Sequence, residues 1–258
     1  MVRIVAVANQ KGGVGKTTTS VNLAASLAAA HRRVLLVDLD PQGNATMGSG
    51  INKRNLTHTV YHVLLGVQPA SAVRVTQTKG LFHLLPSNRE LAGAEVEMVD
   101  LPRREQRLKA ALEEIAHEYD FILVDCPPAL SLLTVNGLTA AHAVMIPMQC
   151  EYYALEGLSD LVGTIKRVRA HLNPHLEIDG LLRTMYDPRN TLAQQVSEQL
   201  KQHFGNKVFN TVIPRNVRLA EAPSHGLPAS VFDKHCKGTL AYFALAGEVL
   251  GRLEAVDR

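Results

Sequence analysis

The sequence predicts an α/β protein with a mostly parallel, doubly wound sheet and helices on both faces. Three observations support this fold class. Short apolar runs recur along the 258 residues, and such runs are typical of strands that are covered on both faces. Segments with apolar residues at helical spacing lie between these runs. The first apolar run leads directly into a glycine-rich turn and a further helical pattern. Regular alternation of this kind favours parallel strands joined by helices.

The predicted elements follow one another in chain order. Apolar runs predict four strands, over residues 2–8, 34–37, 121–124 and 143–146. Helical spacing of apolar residues predicts one helix after the glycine-rich turn and two more over 108–116 and 155–168. Tyr152 and Tyr153, just before the last of these, are interpreted as packing residues. Residues 49–80 are the least regular part, for which we predict loops and a short helix near 58–66.

Two further helices are predicted towards the end of the chain. Thr191 and Gln194 predict a capping box that opens a helix. The apolar pattern of the last helix consists of Leu240, Phe243, Leu250 and Leu253. Glu254 and Asp257 follow this pattern, and an anionic membrane would repel them, so we expect the helix to dock onto the core. The sequence has no visible linker or repeat, and one domain over residues 1–258 is the simplest interpretation.

Composition and charge are those of an ordinary globular protein. Hydrophobic residues make up 46% and charged residues 20%. The net charge of +3 and the pI near 8.8 are too small by themselves to indicate nucleic-acid binding. No apolar run approaches the roughly 18 residues that span a bilayer, and the first strand leaves no room for a signal peptide. Cys126, Cys150 and Cys236 are widely spaced, which indicates reduced thiols in a cytoplasmic protein.

The glycine-rich turn has the features of a phosphate-binding loop. It covers residues 9–18, between the first strand and the first helix. Glycines allow backbone N–H groups to surround a phosphate, and a helix N-terminus adds positive charge. Lys16 is expected to reach the β- and γ-phosphates, and the Thr17 hydroxyl to complete a Mg²⁺ shell. A glycine turn with two surface lysines is the alternative, which the flanking strand and helix disfavour.

The loop departs from the common phosphate-loop template at one position. Gln10 stands where G-x-x-x-x-G-K-[ST] requires its first glycine. The sequence instead matches K-G-G-x-G-K-[ST], with an additional lysine, Lys11, at the start of the loop. The residues expected to contact a nucleotide here are Lys11, Gly12, Gly13, Val14, Gly15, Lys16, Thr17 and Thr18.

Carboxylates follow two of the predicted strands. Asp38 and Asp40 come at the end of the second strand, and Asp125 ends the third strand in a Walker B pattern. Ligands of open α/β sheets bind beyond the carboxyl ends of the strands, so we expect these carboxylates beside the phosphates. A carboxylate in the Walker B position can hold a Mg²⁺-bound water.

Four motifs together resemble the ParA/Soj family of chromosome- and plasmid-partitioning ATPases, which belong to the deviant Walker A group of P-loop NTPases. The motifs cover residues 11–18, 38–46, 125–128 and 213–226. The resemblance runs essentially from end to end. The last motif is the most specific, because generic P-loop proteins lack it.

The resemblance implies an ATP-hydrolysing enzyme that acts as a dimer. Lys11 would enter the nucleotide site of a second subunit in an ATP-bound homodimer, and a side chain at Gly12 would block that dimer. Asp40 would orient the attacking water, which makes Lys11, Lys16 and Asp40 the implied catalytic residues. The implied cofactors are ATP and Mg²⁺.

The resemblance also implies ligands for the metal and for the base. Asp38 and Asp125 would support the Mg²⁺ shell together with Thr17. Pro214 and Asn216 fall where the family contacts adenine, largely through the backbone.

Binding of the ATP dimer to DNA without sequence preference is a further implication. Arg189 and Arg218 match arginines implicated in that binding, and six Lys/Arg residues lie between residues 201 and 237. A solvated basic face would explain the same charges. Two weak patches joined in one dimer would bind DNA far more tightly than one. A ParB-type partner would stimulate hydrolysis, and the protein would be cytoplasmic and associated with the nucleoid.

Two other functions of the same fold stay open. A MinD-like membrane-cycling ATPase would share the phosphate loop but ends in a basic amphipathic membrane helix. A metabolic enzyme, such as an ATP-dependent ligase or a cluster-bearing reductase, would need its own substrate pocket or paired cysteines. The short start of the chain, which lacks an added DNA-reading domain, favours a Soj-like chromosomal form over a plasmid form.

Overall fold

A seven-stranded parallel sheet forms the centre of the computed structural model, which describes residues 2–256. The strands are β1 (Arg3–Val7), β2 (Val34–Asp38), β3 (His83–Leu85), β4 (Phe121–Asp125), β5 (Ala143–Gln149), β6 (Glu177–Tyr186) and β7 (Val208–Pro214). Their order across the sheet is β3-β2-β4-β1-β5-β6-β7, and every neighbouring pair is parallel. Because β1 is the central strand, the turn that follows it opens at the middle of the sheet's carboxyl edge.

Helices cover both faces of this sheet. They are α1 (Lys16–Ala29), α2 (Asn44–Gly48), α3 (Val60–Leu65), α4 (Ala70–Val73), α5 (Leu91–Glu97), α6 (Arg107–Glu113), α7 (Leu132–Ala140), α8 (Ala154–His171), α9 (Thr191–Phe204), α10 (Val217–Glu221), α11 (Ala229–Phe232) and α12 (Lys237–Val256). Alternate residues of β1 face opposite sides: Ile4 and Ala6 join an apolar core with α3 and α5–α8, whereas Val5 joins a second core with α1 and α12. The doubly wound architecture that the sequence predicts is confirmed.

The four predicted strands are confirmed as β1, β2, β4 and β5, with small shifts at their ends. The short helix near 58–66 is α3, and the helix over 155–168 is α8. The helix predicted over 108–116 is shorter, because α6 ends at Glu113 and a 3₁₀ turn at Ala116–Glu118 completes the segment. The sequence did not identify β3, β6 or β7. β3 has only three residues, and polar residues interrupt the apolar runs of β6 and β7.

The predicted capping box at the start of α9 is wrong. The N-cap is Asn190, whose Oδ1 accepts a hydrogen bond from the Ala193 N–H at 3.2 Å. Gln194 does not return to the cap, since its side-chain amide donates to the carbonyl oxygen of Pro188. Asparagine is among the strongest N-cap residues, and here it takes the position that the sequence pattern gave to Thr191.

α12 docks onto the core as predicted, and Leu250 and Leu253 of the predicted stripe pack against that core while partly buried. Its buried side chains, which pack with α1 and β7, are those of Tyr242, Leu245, Ala246 and Val249. Leu240, part of the predicted stripe, is 54% exposed. Glu254 is exposed near the end of α12, and Asp257 lies outside the described residues. Among the helices in residues 2–256, none is long and apolar enough to cross a membrane.

Candidate functional site

The turn between β1 and α1 has the backbone of a phosphate-binding loop. Gly13 and Gly15 adopt left-handed φ angles of 74° and 87°, which residues with a Cβ rarely adopt. Gly15 is the N-cap of α1, which begins at Lys16. The first N–H groups of a helix have no acceptor within the helix itself, so they are available to a ligand at this end. Phosphate oxygens are the ligand that such a loop favours.

Lys16 places a buried ammonium group inside this loop. Its Nζ donates to the carbonyl oxygen of Lys11 at 3.0 Å. Burial lowers the pKa of Lys16, while the carboxylates of Asp125 and Asp40 act in the opposite direction. A buried ammonium that donates to a neutral carbonyl is stabilised further when an anion joins it. The position of Lys16 therefore suits a phosphate group.

Asp125 ties the start of α1 to the neighbouring strand β4. Its Oδ2 accepts a hydrogen bond from the Thr17 hydroxyl at 2.7 Å, and its Oδ1 accepts one from the Ser20 hydroxyl at 2.8 Å. Burial raises the pKa of Asp125 to about 7, and the charge of Asp38 acts in the same direction. A buried carboxylate of this kind is stabilised by a nearby cation.

Asp38 lies directly beside Asp125 in the register of β2 and β4. Its Oδ2 accepts hydrogen bonds from the N–H and the hydroxyl of Thr46, both at 2.7 Å, and so fixes the start of α2. Burial raises the pKa of Asp38 to about 6. Asp40 is more exposed, and its Oδ1 accepts from the Gln42 N–H at 2.8 Å. The structure therefore brings the three predicted carboxylates together at the carboxyl edge of the sheet.

The residues beside the loop fit a Mg²⁺ ion that is shared with a nucleotide. Mg²⁺ keeps several waters and binds through one or two protein oxygens and substrate phosphates. The Thr17 hydroxyl, with Asp125 behind it, offers such an oxygen next to a buried negative charge. Across residues 2–256, no group of three or more His, Cys, Asp or Glu side chains is arranged to hold a metal ion. Phosphates and waters would therefore complete the shell.

A cavity of about 170 Å³ with a mostly apolar lining lies beside the loop. Pro214 and Asn216 form part of its wall, and Thr18 of the loop forms another part. The Oδ1 of Asn216 accepts from the Leu219 N–H at 3.3 Å, because Asn216 is the N-cap of α10. Its side-chain oxygen is therefore already engaged, which leaves its side-chain N–H groups and its backbone for a ligand. A small apolar cavity next to a phosphate loop suits a planar base.

Thr184 and Met185 belong to this site, although the sequence did not indicate them. The Thr184 hydroxyl donates to the carbonyl oxygen of Val14 at 2.8 Å, which ties β6 to the loop. Met185 lines the cavity and has a left-handed φ of 48°. Such strain is found where the backbone must hold a functional geometry. Recognising β6 as a strand would have placed both residues at the carboxyl edge of the sheet.

Lys11 lies at the rim of the site and not inside it. Its Nζ and the Oε2 of Glu151 are 2.6 Å apart, and the two side chains are 46% and 50% exposed. A Cβ added at Gly12 would meet no atom within 4 Å. This face of the loop is therefore open within one chain. The sequence did not indicate Glu151, although its place just after β5 is the signal that could have identified it.

Two exposed tyrosines adjoin this rim. Tyr152 and Tyr153 are 75% and 68% exposed, and their rings meet edge to face with centroids 5.0 Å apart. Their interpretation as packing residues is therefore wrong for a single chain. Clustered, exposed apolar side chains commonly mark a contact surface.

The two arginines expected to bind DNA lie on the surface and are ion-paired within the chain. The Nη2 of Arg189 is 2.8 Å from Asp187 Oδ2, and hydrogen bonds from Arg189 lower the pKa of Asp187. The Nη1 of Arg218 is 2.8 Å from Glu221 Oε2, and its Nε is 3.5 Å from Asp233 Oδ2. Exposed pairs of this kind contribute little to stability. Phosphate groups could therefore take the place of the carboxylates.

Comparisons with known proteins identify relatives over nearly the whole chain. A family model described as an AAA domain matches residues 2–178. The chromosome partitioning protein ParA of Caulobacter vibrioides is 51% identical over 254 residues, which are 97% of this chain and 95% of that protein. The sporulation initiation inhibitor protein Soj of Bacillus subtilis is 53% identical over 250 residues, which are 96% of this chain and 98% of that protein.

A solved structure of similar fold contains ligands of the kind that this site fits. It is the crystal structure of cobyrinic acid a,c-diamide synthase from Mycobacterium smegmatis with a bound ATP analogue and magnesium. That chain is 40% identical, with a TM-score of 0.87, and the match covers 98% of this chain and 96% of that one.

Proposed function

This chain belongs to the ParA/Soj family of chromosome-partitioning ATPases, and on that premise we propose that it is an ATP-dependent, dimerising switch. Its cofactors are ATP and Mg²⁺. In the proposed cycle, the ATP-bound chain forms a homodimer that binds DNA without sequence preference. A ParB-type partner protein then stimulates hydrolysis, and the chain leaves the DNA. Coupling assembly to a nucleotide in this way gives two states that hydrolysis interconverts.

The main support for the proposed dimer is the exposed rim of the phosphate loop, which is formed by Lys11 and Gly12. Lys16 already places an ammonium group inside the loop, so phosphate contact within one chain does not need a second lysine. The open space beside Gly12 leaves room for another loop to approach. A cation supplied in trans is worth ~10³–10⁵ in the rate of phosphoryl transfer. We infer that Lys11 supplies that charge to the site of the partner subunit.

The buried polar groups of the site hold the nucleotide in this proposal. Backbone N–H groups at the start of α1, together with Lys16, bind the phosphates. The Thr17 hydroxyl and Asp125 hold Mg²⁺, which neutralises phosphate charge when bound. Asp38 supports the same region because it fixes the start of α2. Pro214 and Asn216 hold the base.

Asp40 is the residue that we infer orients the attacking water. It is the most accessible of the three carboxylates, and the Gln42 N–H holds one of its oxygens. Asp40→Ala is expected to bind ATP without hydrolysing it, so that the ATP-bound dimer accumulates. Release of inorganic phosphate measures this directly. Hydrolysis at the wild-type rate in the variant would rule out the role of Asp40.

Arg189 and Arg218 are the proposed DNA contacts. Both are exposed, and each can exchange its present carboxylate partner for a phosphate of the DNA backbone. A dimer presents two copies of the surface, which raises the effective concentration of the second copy once the first is bound. Binding should weaken steeply with salt, because it depends on phosphate contacts. The proposed location is therefore the cytoplasm, on the nucleoid.

Gel retardation tests the DNA-binding part of the proposal. The wild-type chain with Mg²⁺-ATP should retard a short duplex of arbitrary sequence at low salt, and ADP should not support this retardation. Arg189→Glu should weaken the retardation. Lys109→Glu, which reverses an exposed charge on α6, is the matched control and should bind as the wild type does. If the wild-type chain with ATP leaves the duplex unshifted, the DNA-binding proposal is wrong.

An ATP-dependent amide ligase is the second candidate, because the similar chain from M. smegmatis carries the name of a diamide synthase. Its 40% identity is lower than the 51% and 53% of the partitioning proteins. A partitioning ATPase should hydrolyse ATP faster when DNA and a ParB-type protein are added. A ligase should instead respond to an amide-nitrogen donor and a carboxylic acid, and a response to these alone would favour the second candidate.

The structure of α12 disfavours a MinD-like membrane cycle. A helix that lies on a membrane needs a free apolar face. The apolar face of α12 packs against α1 and β7. We therefore propose no membrane partner.

A further inference from the structure

A groove of about 620 Å³ lies between the end of α2 and the 3₁₀ turn at Ala222–His225. Its lining combines the apolar side chains of Met47, Ile51 and Pro223 with the cationic side chains of Lys53 and Arg54, and His225 also lines it. Among the described residues that line it, none is a carboxylate. Lys79 adds further positive charge across Gly50, since its Cγ lies 3.5 Å from the position of a Cβ built there.

The cations around this groove differ from Arg189 and Arg218, the two proposed DNA contacts. Arg189 and Arg218 each have a carboxylate partner within the chain. In the part of the chain that the structure describes, Lys53, Arg54 and Lys79 form no ion pair. Unpaired charges of one sign around a concave surface attract ligands of the opposite sign. The groove is therefore complementary to an anionic partner.

The floor of the groove is a contact between two glycine turns. Gly50 and Gly226 both have left-handed φ angles, of 85° and 64°. A Cβ at Gly50 would lie 2.9 Å from the Gly226 carbonyl oxygen, and one at Gly226 would lie 3.0 Å from the Gly50 Cα. A side chain at either position would push the two walls apart. The groove is therefore a built feature of the fold and not a gap between mobile side chains.

One end of the groove reaches the nucleotide site. Another cavity, of about 420 Å³, lies next to the groove, and Met47, Pro223 and Ser224 line both. Thr17 and Thr18 of the phosphate loop also line this adjacent cavity. A ligand that extends along the groove would therefore contact the residues that hold the nucleotide.

Lys53 provides a second connection to the nucleotide site. Its Nζ donates to the carbonyl oxygen of Gln42. The N–H of Gln42 in turn donates to Asp40 Oδ1 at 2.8 Å. An anion that binds Lys53 competes with the Gln42 carbonyl and so changes the segment that holds Asp40.

We propose that this groove docks an acidic peptide segment of a partner protein, anchored by an aliphatic side chain. Apolar walls in a concave groove favour a peptide side chain, whereas contacts to DNA phosphates require no such walls. The acidic residues of the segment pair with Lys53 and Arg54. Binding there shifts the Asp40 segment and thereby changes the rate of ATP hydrolysis. This regulatory step rests on the proposed function, and the docking itself does not.

Selection from a random peptide library displayed on phage tests the docking without any nucleotide. The full chain is the bait, and Lys53→Glu/Arg54→Glu is the counter-selection bait. Lys109→Glu is the matched control and should select the same peptides as the wild type. Circular dichroism and ATP affinity show whether the double variant is folded. The enriched peptides should combine Asp or Glu with Leu, Ile or Met, and their affinity should fall by about tenfold or more on the double variant.

Three results would overturn the docking proposal. The first is no enrichment over the double variant, and the second is enrichment of basic peptides. The third is loss of DNA retardation in Lys53→Glu/Arg54→Glu without any change in peptide binding, which would make the groove a nucleic-acid surface.

Addition of a selected peptide to the ATP hydrolysis assay tests the regulatory step separately. The rate of the wild type should change, and the rate of Arg54→Glu should not. An unchanged wild-type rate would eliminate the regulatory step while the docking stands. Absence of wild-type hydrolysis without peptide would instead count against the proposed function.

Discussion

Asp38 and Asp125 lie side by side at the ends of adjacent parallel strands. Burial raises the pKa of Asp38 to about 6 and that of Asp125 to about 7, whereas an aspartate in an unfolded chain has a pKa of about 3.9. At pH values between about 4 and about 7, Asp38 and Asp125 therefore bind more protons in the folded, metal-free chain than in the unfolded chain. The contribution of Asp38 and Asp125 to the free energy of unfolding is therefore fully present below about pH 4 and is lost as the pH rises towards about pH 7.

Asp125→Asn is expected to flatten this pH dependence, because asparagine does not titrate. The free energy of unfolding by urea, measured in EDTA, should fall less steeply between about pH 5 and pH 7 in the variant than in the wild type. Asp100→Asn changes an exposed aspartate and should keep the wild-type slope. Equal slopes for Asp125→Asn and the wild type would contradict the pKa shift of Asp125.

The Gly12→Val variant tests the assembly of two chains independently of the folding of one chain. A Cβ at Gly12 meets no atom within 4 Å, and Gly12 has no left-handed φ. The variant should therefore melt at the wild-type temperature and bind ATP, but fail to form the ATP-dependent dimer. Gly247→Val, at another position where a Cβ meets no atom within 4 Å, should dimerise normally. A Gly12→Val protein that dimerises fully would refute the close approach of two loops.

At the scale of single elements, the start of α9 allows a test of which residue caps the helix. The N-cap in the structure is Asn190, whereas the sequence pattern predicts Thr191. Asn190→Ala removes the N-cap acceptor of the Ala193 N–H and should lower the free energy of unfolding by about 1 kcal/mol. Thr191→Ala should change it much less, because Thr191 is the first helical residue and not the cap. Urea unfolding of the two variants measures both effects. A larger loss in Thr191→Ala would restore the capping box that the sequence indicates.

β6 shows why part of the fold could not be predicted from the sequence. Its apolar run is interrupted by Arg183, which is nevertheless buried. The guanidinium donates to the Ser197 hydroxyl at 2.8 Å and to the Phe209 carbonyl oxygen at 2.7 Å. These acceptors come from α9 and β7, which lie far from Arg183 in sequence. A buried charge becomes acceptable only through such tertiary contacts, so a local pattern does not indicate it.

The residues of the candidate site also divide into those that local sequence spacing predicts and those that it does not. The phosphate loop, Asp38, Asp40 and Asp125 were identified because their spacing relative to strands is a local property. Thr184 was not identified, since it belongs to the site only through the order of strands in the sheet, whereas the place of Glu151 just after β5 is a local signal that the prediction did not use. Thr184 reaches Val14 because β6 follows β5 across the sheet. Local spacing therefore predicts the groups that bind phosphate but not those that hold the loop in place.

At the scale of the whole molecule, the exposed Tyr152 and Tyr153 are candidates for the interface of the proposed dimer. They adjoin Glu151, the partner of Lys11, and tyrosine is enriched among the residues that dominate interfaces. Tyr152→Ala/Tyr153→Ala should weaken the ATP-dependent dimer by about tenfold or more. Val96→Ala removes an apolar side chain of equal exposure on α5 and should leave the dimer unchanged. A dimer constant that is unaffected by the tyrosine changes would place the interface elsewhere.

Light scattering on the ATP-bound chain tests whether two copies assemble around ATP and whether Lys11 is needed for that assembly. With Mg²⁺-ATP, Asp40→Ala should have twice the 28.1 kDa mass of one chain. Lys11→Ala/Asp40→Ala should bind ATP and keep the mass of one chain. A monomeric Asp40→Ala protein with bound ATP, or a double variant that dimerises equally well, would contradict the role assigned to Lys11.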